Sequence, residues 1–158
     1  MESLPAHHLK LVLVHPEIAP NTGNIARLCV ASGTELHLVR PLGFVLSDRN
    51  LKRSGLDYWG RLKLTVHDDL DAFLRFAGNA RMWLLSSKAS RTFWKADYAD
   101  GDWLVLGSET HGLPPDFLDR FPERTVRIPQ RPGERCLNLS TAAGIALYEA
   151  LRRATDKM

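Results

Sequence analysis

The feature that most constrains the fold is a series of short apolar runs separated by segments with helical periodicity. Four of these runs, at 11–14, 36–39, 82–85 and 103–106, are nearly continuous in apolar residues, and a Pro or Gly soon follows three of them. Apolar runs of this length are typical of buried strands. Strands that alternate with helices predict an α/β domain with a mostly parallel sheet flanked by helices.

Capping residues and apolar periodicity predict the other elements. Two weaker strands are expected at 62–66 and 126–128, and a short basic helix at 48–54. Asn21 or Thr22 is expected to begin a helix that ends near Ser32 before Gly33. Further helices are expected after Asp68 or Asp69, over 114–121, and after Asn138.

Length and composition favour one domain over residues 1–158, with residues 1–8 flexible. The start of the chain lacks a signal peptide, and no apolar stretch is long enough to span a membrane, so a cytoplasmic protein is expected. Cys29 and Cys136 have no metal-ligand spacing, and two cysteines cannot form a disulfide framework, so no metal is expected. The net charge of +3 permits nucleic-acid binding without requiring it.

Three loops rich in Gly and Asn, at 20–27, 104–114 and 128–140, follow apolar runs or begin helices. The carboxyl ends of parallel strands share one sheet edge, where such domains bind ligands, so the loops predict one composite site. Glu109 can accept hydrogen bonds there, and Arg27 suits phosphate recognition. The alternatives are a surface turn at Glu109, simple helix capping by Asn21 and a solvated charge at Arg27.

Basic residues cluster in two segments that could contact RNA. The first contains Arg49 and Arg53 and is followed by Tyr58 and Trp59, which could stack on a base or, especially for Trp59, pack in the core. The second contains Arg127, Arg131 and Arg135. Small residues in the last helix indicate tight core packing, with a dimer contact as the alternative.

Four motifs together resemble the SpoU/TrmH branch of the SPOUT methyltransferases over about residues 11–151. They are Pro-Glu-Ile-Ala-Pro-Asn-Thr-Gly-Asn-Ile-Ala-Arg at 16–27, Gly-Leu-Asp-Tyr at 55–58, Gly-Ser-Glu-Thr-His-Gly-Leu-Pro at 107–114, and Ile-Pro at 128–129 with Leu-Asn-Leu-Ser at 137–140.

The resemblance implies a SPOUT-type fold with a C-terminal trefoil knot over about 80–153. It also implies S-adenosylmethionine as cofactor and S-adenosylhomocysteine as product. By position, the cofactor contacts would come from Leu85, Gly107, Ile128, Cys136 and Leu137. Cys136 stands where the family often has Ser.

The implied activity is 2'-O-methylation of the wobble nucleotide of tRNA, a cytidine or modified uridine at position 34. Arg27 would bind the adjacent phosphate and polarise the hydroxyl, Asn21 would position Arg27 or the ribose, Glu109 would anchor its loop, and Asn138 would order the knot loop. The implied assembly is a homodimer with each active site at the subunit interface.

Three alternatives remain open. The chain could methylate another RNA site, or it could be a non-catalytic RNA-binding protein of the same fold. It could also be an α/β protein that binds a small molecule and has no affinity for tRNA.

Overall fold

The computed structural model describes residues 2–47 and 57–158, and its centre is a six-stranded sheet in which every strand pair is parallel. The spatial order of the strands is β3-β2-β1-β5-β4-β6. In chain order the strands are β1 Lys10–Val14, β2 Glu35–Val39, β3 Leu64–His67, β4 Met82–Leu85, β5 Trp103–Leu106 and β6 Thr125–Val126. The predicted α/β architecture is therefore confirmed.

Helices cover both faces of the sheet, which explains why the strands are apolar throughout. The helices are α1 Ala19–Ser32, α2 Leu70–Ala77, α3 Pro115–Asp119 and α4 Leu139–Thr155, with 3-10 turns at Asp57–Arg61, Phe93–Lys95 and Pro122–Arg124. In β1, Leu11 and Leu13 join the core beneath α1 and α4, whereas Val12 and Val14 join the core beneath α2 and α3. Successive side chains thus bury opposite faces of one strand.

The first helix begins earlier than Asn21 or Thr22, so that boundary prediction was wrong. Helix α1 starts at Ala19, and its N-cap residue is Ile18, whose side chain makes no capping hydrogen bond. Pro20 is tolerated in the first turn because those N–H groups lack an intrahelical partner. A carboxylate from a distant loop binds the N–H of Ile18 instead.

Three other predicted helix ends are confirmed, whereas the helix expected over 114–121 spans only Pro115–Asp119. Gly33 ends α1 with φ of 70°, in the left-handed conformation that glycine adopts without strain. Asp69 caps α2 by accepting from the N–H of Ala72, and Asn138 caps α4 by accepting from the N–H groups of Ser140 and Thr141. The basic helix predicted at 48–54 lies outside the described residues.

Two histidines of the segment expected to be flexible are held by hydrogen bonds. His7 Nε2 lies 2.6 Å from the carbonyl oxygen of Ser32, and the backbone N–H of His8 donates to Asp100 at 2.6 Å. Cys29 is fully buried, as expected of a core residue, and burial raises the pKa of its thiol to about 12. Within the described ranges, no helix is long and apolar enough to cross a membrane.

The strand order creates a switch point between β1 and β5. The chain runs outward from β1 to β2 and β3, then crosses to β4 and returns to place β5 beside β1. Connections leave these two central strands in opposite directions, which opens a crevice at their carboxyl ends. The loops that follow β1, β4, β5 and β6 meet there.

Candidate functional site

A cavity of about 620 Å³ lies beyond the carboxyl ends of β4, β5 and β6. That volume is in the range of small-molecule sites. All five residues predicted to contact a cofactor line it: Leu85, Gly107, Ile128, Cys136 and Leu137. Asn21, Glu109 and Asn138 line it as well, so the structure brings together three of the four predicted catalytic residues.

Glu109 joins the loop after β5 to the start of α1. Its Oε1 accepts from the N–H of Glu17 at 2.9 Å, and its Oε2 accepts from the N–H of Ile18 at 2.8 Å. Oε2 also accepts from Asn21 Nδ2 at 3.1 Å. A carboxylate at a helix N-terminus is favoured by the helix dipole and by the free N–H groups there. Glu109 is therefore half-buried and fully engaged rather than a residue of a free surface turn.

Asn21 continues the network toward the last helix. It is 7% exposed, and its Oδ1 accepts from Asn138 Nδ2 at 3.1 Å. Asn138 Oδ1 in turn accepts from the N–H of Ser140 at 2.9 Å and of Thr141 at 3.3 Å. One chain of hydrogen bonds thus runs from the loop after β5, through α1, to the N-terminus of α4.

Glu17 and Thr110 form a second bridge between the same two loops. The acceptor now belongs to the segment before α1 and the donors belong to the loop after β5, which is the reverse of the Glu109 bridge. The carboxylate of Glu17 accepts from the backbone N–H of Thr110 at 3.0 Å and from its hydroxyl at 2.9 Å. These bonds lower the pKa of the Glu17 carboxyl. Glu109 and Glu17 each reach into the backbone of the other's loop, so the two loops are held as one unit.

Gly107 is required by the path of its own loop. A Cβ at this position would lie 2.1 Å from the carbonyl carbon of Gly112 and 2.2 Å from the nitrogen of Leu113. Ser108 and Gly112 exchange backbone hydrogen bonds at 3.2 Å and 3.0 Å, so the loop turns back across Gly107. The glycine therefore permits the tight turn that forms the cavity wall.

Arg27 is the predicted catalytic residue that does not line the cavity. It is exposed on α1, six residues after Asn21, which corresponds to about 9 Å along the helix axis. Its guanidinium forms no hydrogen bond or ion pair with any residue of 2–47 or 57–158. It shares an exposed helix face with Asn24, as their spacing predicted.

The predicted RNA-contacting residues are only partly described. Arg131 and Arg135 are exposed in the loop between β6 and α4, where the carbonyl oxygen of Arg135 accepts from Gln130 Nε2 at 2.7 Å. Arg49 and Arg53 lie outside the described residues, and Tyr58 is described only as part of a 3-10 turn. Trp59 is half-buried against the core beneath α1 and α4, which supports the packing interpretation.

Several cavity residues were not identified from the sequence. Ser86, Ser87 and Lys88 follow β4 and line the cavity. No motif marks the serines or the lysine, and only their position after a predicted strand could have found them. In the described ranges, His, Cys, Asp and Glu side chains do not form a group of three that could hold a metal ion.

A known family and individual proteins are similar to nearly the whole chain. The model of the SpoU rRNA Methylase family matches residues 8–148. A tRNA (cytidine(34)-2'-O)-methyltransferase of Burkholderia ambifaria is 48% identical over 147 residues, which cover 91% of this chain and 94% of that protein.

Solved structures share the fold. A chain solved for structural insights into the 2-OH methylation of C/U34 on tRNA is 46% identical, with a TM-score of 0.89 and coverage of 95% of this chain and 98% of that chain. An AdoMet-bound rRNA methyltransferase of Sinorhizobium meliloti, 24% identical, superposes with a TM-score of 0.82 over 96% of this chain and 58% of that chain.

Proposed function

The chain belongs to the SpoU rRNA Methylase family, and we propose that it transfers a methyl group from S-adenosylmethionine to the ribose 2'-hydroxyl of the wobble nucleotide, cytidine or modified uridine 34, in tRNA. The observation that carries this proposal is identity of 48% along nearly the full length of a cytidine-34 methyltransferase. The network of Glu109, Asn21 and Asn138 at the mouth of the cavity supports it, because the three loops that resemble the family form one site.

The cavity residues fit S-adenosylmethionine chemically. Apolar side chains of Leu85, Ile128 and Leu137 suit the adenine ring, and the polar groups of Ser86 and Gln130 suit the ribose and the amino-acid end. Cys136 is exposed at the cavity and can serve through its backbone N–H as well as a serine would. These residues would hold the cofactor, and the C-terminal trefoil knot over about 80–153 is part of the same proposal.

S-adenosylmethionine supplies a methyl group already activated on a sulfonium. The chain's own residues must then hold the 2'-oxygen in line with that carbon and ease the loss of its proton. Arginine stays protonated in proteins and is a poor free base, so Arg27 binds the adjacent phosphate and polarises the hydroxyl. The proton of that hydroxyl would pass by way of the phosphate to water, and S-adenosylhomocysteine would be the leaving group. Asn21 positions the ribose, Glu109 anchors the loop after β5, and Asn138 orders the start of α4.

A homodimer would complete this site, because Arg27 lies outside the cavity of its own chain. Helix α4 packs against α1 and leaves Ile145 39% exposed and Tyr148 46% exposed, and Ile18 at the start of α1 is 48% exposed. We propose that this apolar face of α1 and α4 is the dimer contact. Association through it would place Arg27 at the subunit interface.

The substrate would be gripped by basic residues on both sides of the site. Arg131 and Arg135 are exposed beside the cavity, and Arg49, Arg53 and Tyr58 are the further predicted contacts from the sequence. Phosphate contacts of this kind make binding fall steeply with salt. A tRNA substrate also supports the cytoplasm as the proposed location.

The test is to incubate the purified protein with S-adenosylmethionine carrying a labelled methyl group and tRNA that lacks wobble methylation. Nuclease digestion and mass spectrometry then locate the label. We expect label on the ribose of nucleotide 34. Label on another ribose would retain the chemistry and overturn the position. Cofactor and tRNA binding without transfer would favour a non-catalytic RNA-binding protein.

A further inference from the structure

A second cleft, of about 340 Å³, lies at the carboxyl ends of β1 and β2. It is lined by residues after β1, residues after β2, and the segment from the loop after β5 to the start of α3. Ser108, His111, Gly112 and Leu113 line both this cleft and the larger cavity. One loop, the one that carries Glu109, therefore separates two concave surfaces at the switch point.

The backbone at the rim of this cleft is strained. His15 follows β1 with φ of 58°, and in the described part of the chain it is the one residue other than glycine with a positive φ. A histidine held in this conformation is costly and tends to occur where side-chain placement serves binding. The N–H of His15 donates to the carbonyl oxygen of Val39 at 3.0 Å, which fixes the bend.

The floor of the cleft is equally constrained. A Cβ on Gly43 would lie 2.6 Å from both the Cα and the carbonyl oxygen of Glu17, so the segment after β2 can approach the segment after β1 only with glycine there. The N–H of Gly43 donates to the carbonyl oxygen of Pro16 at 2.9 Å. The two segments form a fixed floor, and the cleft does not depend on a mobile wall.

The lining suits a planar heterocycle. Pro41, Leu42 and Pro115 supply flat apolar walls, and His15 and His111 supply imidazole rings that can stack on a base. Burial lowers the pKa of His15, so its ring is neutral at pH 7 and offers one donor and one acceptor. Glu17 also lines the cleft, and its carboxylate accepts hydrogen bonds from Thr110.

We propose that this cleft binds the base of the nucleotide whose ribose is methylated. The inference rests on the proposed function. Because the loop at 108–112 borders both concave surfaces, a nucleotide with its base in the cleft has its ribose beside that loop. The loop would then separate base from cofactor, and the 2'-hydroxyl would reach over it toward the larger cavity.

A double-mutant cycle between protein and RNA tests the proposal. Pro115→Trp fills the cleft from the exposed N-terminus of α3, and a full-length tRNA with an abasic ribose at position 34 removes the base while leaving its hydroxyl. We expect Pro115→Trp to reduce kcat/KM at least tenfold on normal tRNA, in line with the loss of one base–aromatic stack. On abasic tRNA the variant should differ from wild type by less than about twofold.

Asp119→Trp is the matched control, because it adds the same side chain to α3 away from the cleft and should change neither substrate. His15→Asn is a second variant, since asparagine tolerates a positive φ while removing the imidazole. It should show the same selective loss. Equal losses on both substrates, or no loss on normal tRNA, would overturn the proposal, provided that cofactor binding by calorimetry is unchanged.

Cytidine 5'-monophosphate separates this proposal from the proposed function, because its binding needs no methyl transfer. We expect its titration to shift the imidazole proton resonances of His15 and His111, and Pro115→Trp to abolish the shifts. Shifts in a protein that does not methylate tRNA would support the cleft and overturn only the activity. Unchanged imidazole resonances in an active enzyme would overturn the cleft.

Discussion

Replacing Asn21 by aspartate tests which groups donate and which accept in the chain of hydrogen bonds across the site. Asn21 Nδ2 donates to Glu109 Oε2, and its Oδ1 accepts from Asn138 Nδ2, both at 3.1 Å. Asn21→Asp keeps the size of the side chain and its bond from Asn138. It replaces the donor with a carboxylate oxygen facing the carboxylate of Glu109.

The magnitude follows from that distance. Two like charges about 3.1 Å apart repel by about 5 kcal/mol at an effective dielectric constant of 20 and by about 1.3 kcal/mol in bulk water. Asn21 is buried and Glu109 half-buried, so a value between these limits applies. Asn21→Ala removes both hydrogen bonds, worth about 2 kcal/mol in all, and introduces no charge. We therefore expect Asn21→Asp to be about 2 kcal/mol less stable than Asn21→Ala at pH 7.

The pH dependence has a defined sign. Repulsion within the pair raises the pKa of one carboxyl in the folded state above its unfolded value of about 4. The penalty of Asn21→Asp is full above the raised folded pKa, and it disappears as the pH falls through that pKa toward about 4. Asn21→Ala has no such dependence.

Urea unfolding at pH 7 and at pH 4.5 measures both effects, and a double variant supplies the control. In Asn21→Asp with Glu109→Gln, the amide of Gln can donate to the new carboxylate, so the pair should be more stable than the sum of the two single changes. If Asn21→Asp matched Asn21→Ala at both pH values, the donor assigned to Asn21 would be wrong.

Three further outcomes follow from the described contacts. Gly107→Ala places a Cβ against the backbone of Gly112 and should lower the free energy of unfolding, measured in urea, by about 3 kcal/mol. Burial lowers the pKa of His37 to about 4, so the unfolded state takes up the proton first as the pH falls below about 6.5. The free energy of unfolding should therefore drop by about 2 kcal/mol at pH 5. If a His37→Phe variant kept this pH dependence in thermal unfolding, the dependence would belong to another group. Arg27→Ala should reduce methyl transfer at least 100-fold, while the affinity for S-adenosylmethionine measured by calorimetry stays unchanged. Arg75→Ala on α2 is the neutral control. Wild-type turnover in Arg27→Ala would remove Arg27 from the mechanism.

The sheet was predictable because its strands are buried on both faces. Continuous apolar runs such as 103–106 have few other interpretations in a chain of this length, and the glycine and proline residues after them mark where strands end. The helix caps at Asp69 and Asn138 could also be predicted, because each side chain accepts from backbone N–H groups two or three residues further along the chain. In each case the information is local.

The start of α1 was not predictable because its cap is not local. Asn21 has the composition of an N-cap, but the groups that satisfy the helix N-terminus belong to Glu109, more than 80 residues away. The side chain of Asn21 therefore does not cap the helix, and its oxygen accepts from Asn138. The sequence identified Asn21 and Asn138 as candidate helix caps and site residues, and only the tertiary structure could show that they bond to each other.

The hydrogen bonds that Glu109 and Glu17 make across two loops also explain why three separate loops form one site. Glu109 binds the backbone that leads into α1, and Glu17 binds the backbone of the loop after β5, so neither loop can move without breaking charge-assisted hydrogen bonds in the other. Asn21 and Asn138 extend that coupling to α4. The cavity and the second cleft share a wall built from this unit. In the proposed arrangement, a rigid wall between the two ligands fixes how far apart their reacting groups lie, which is what transfer between them requires.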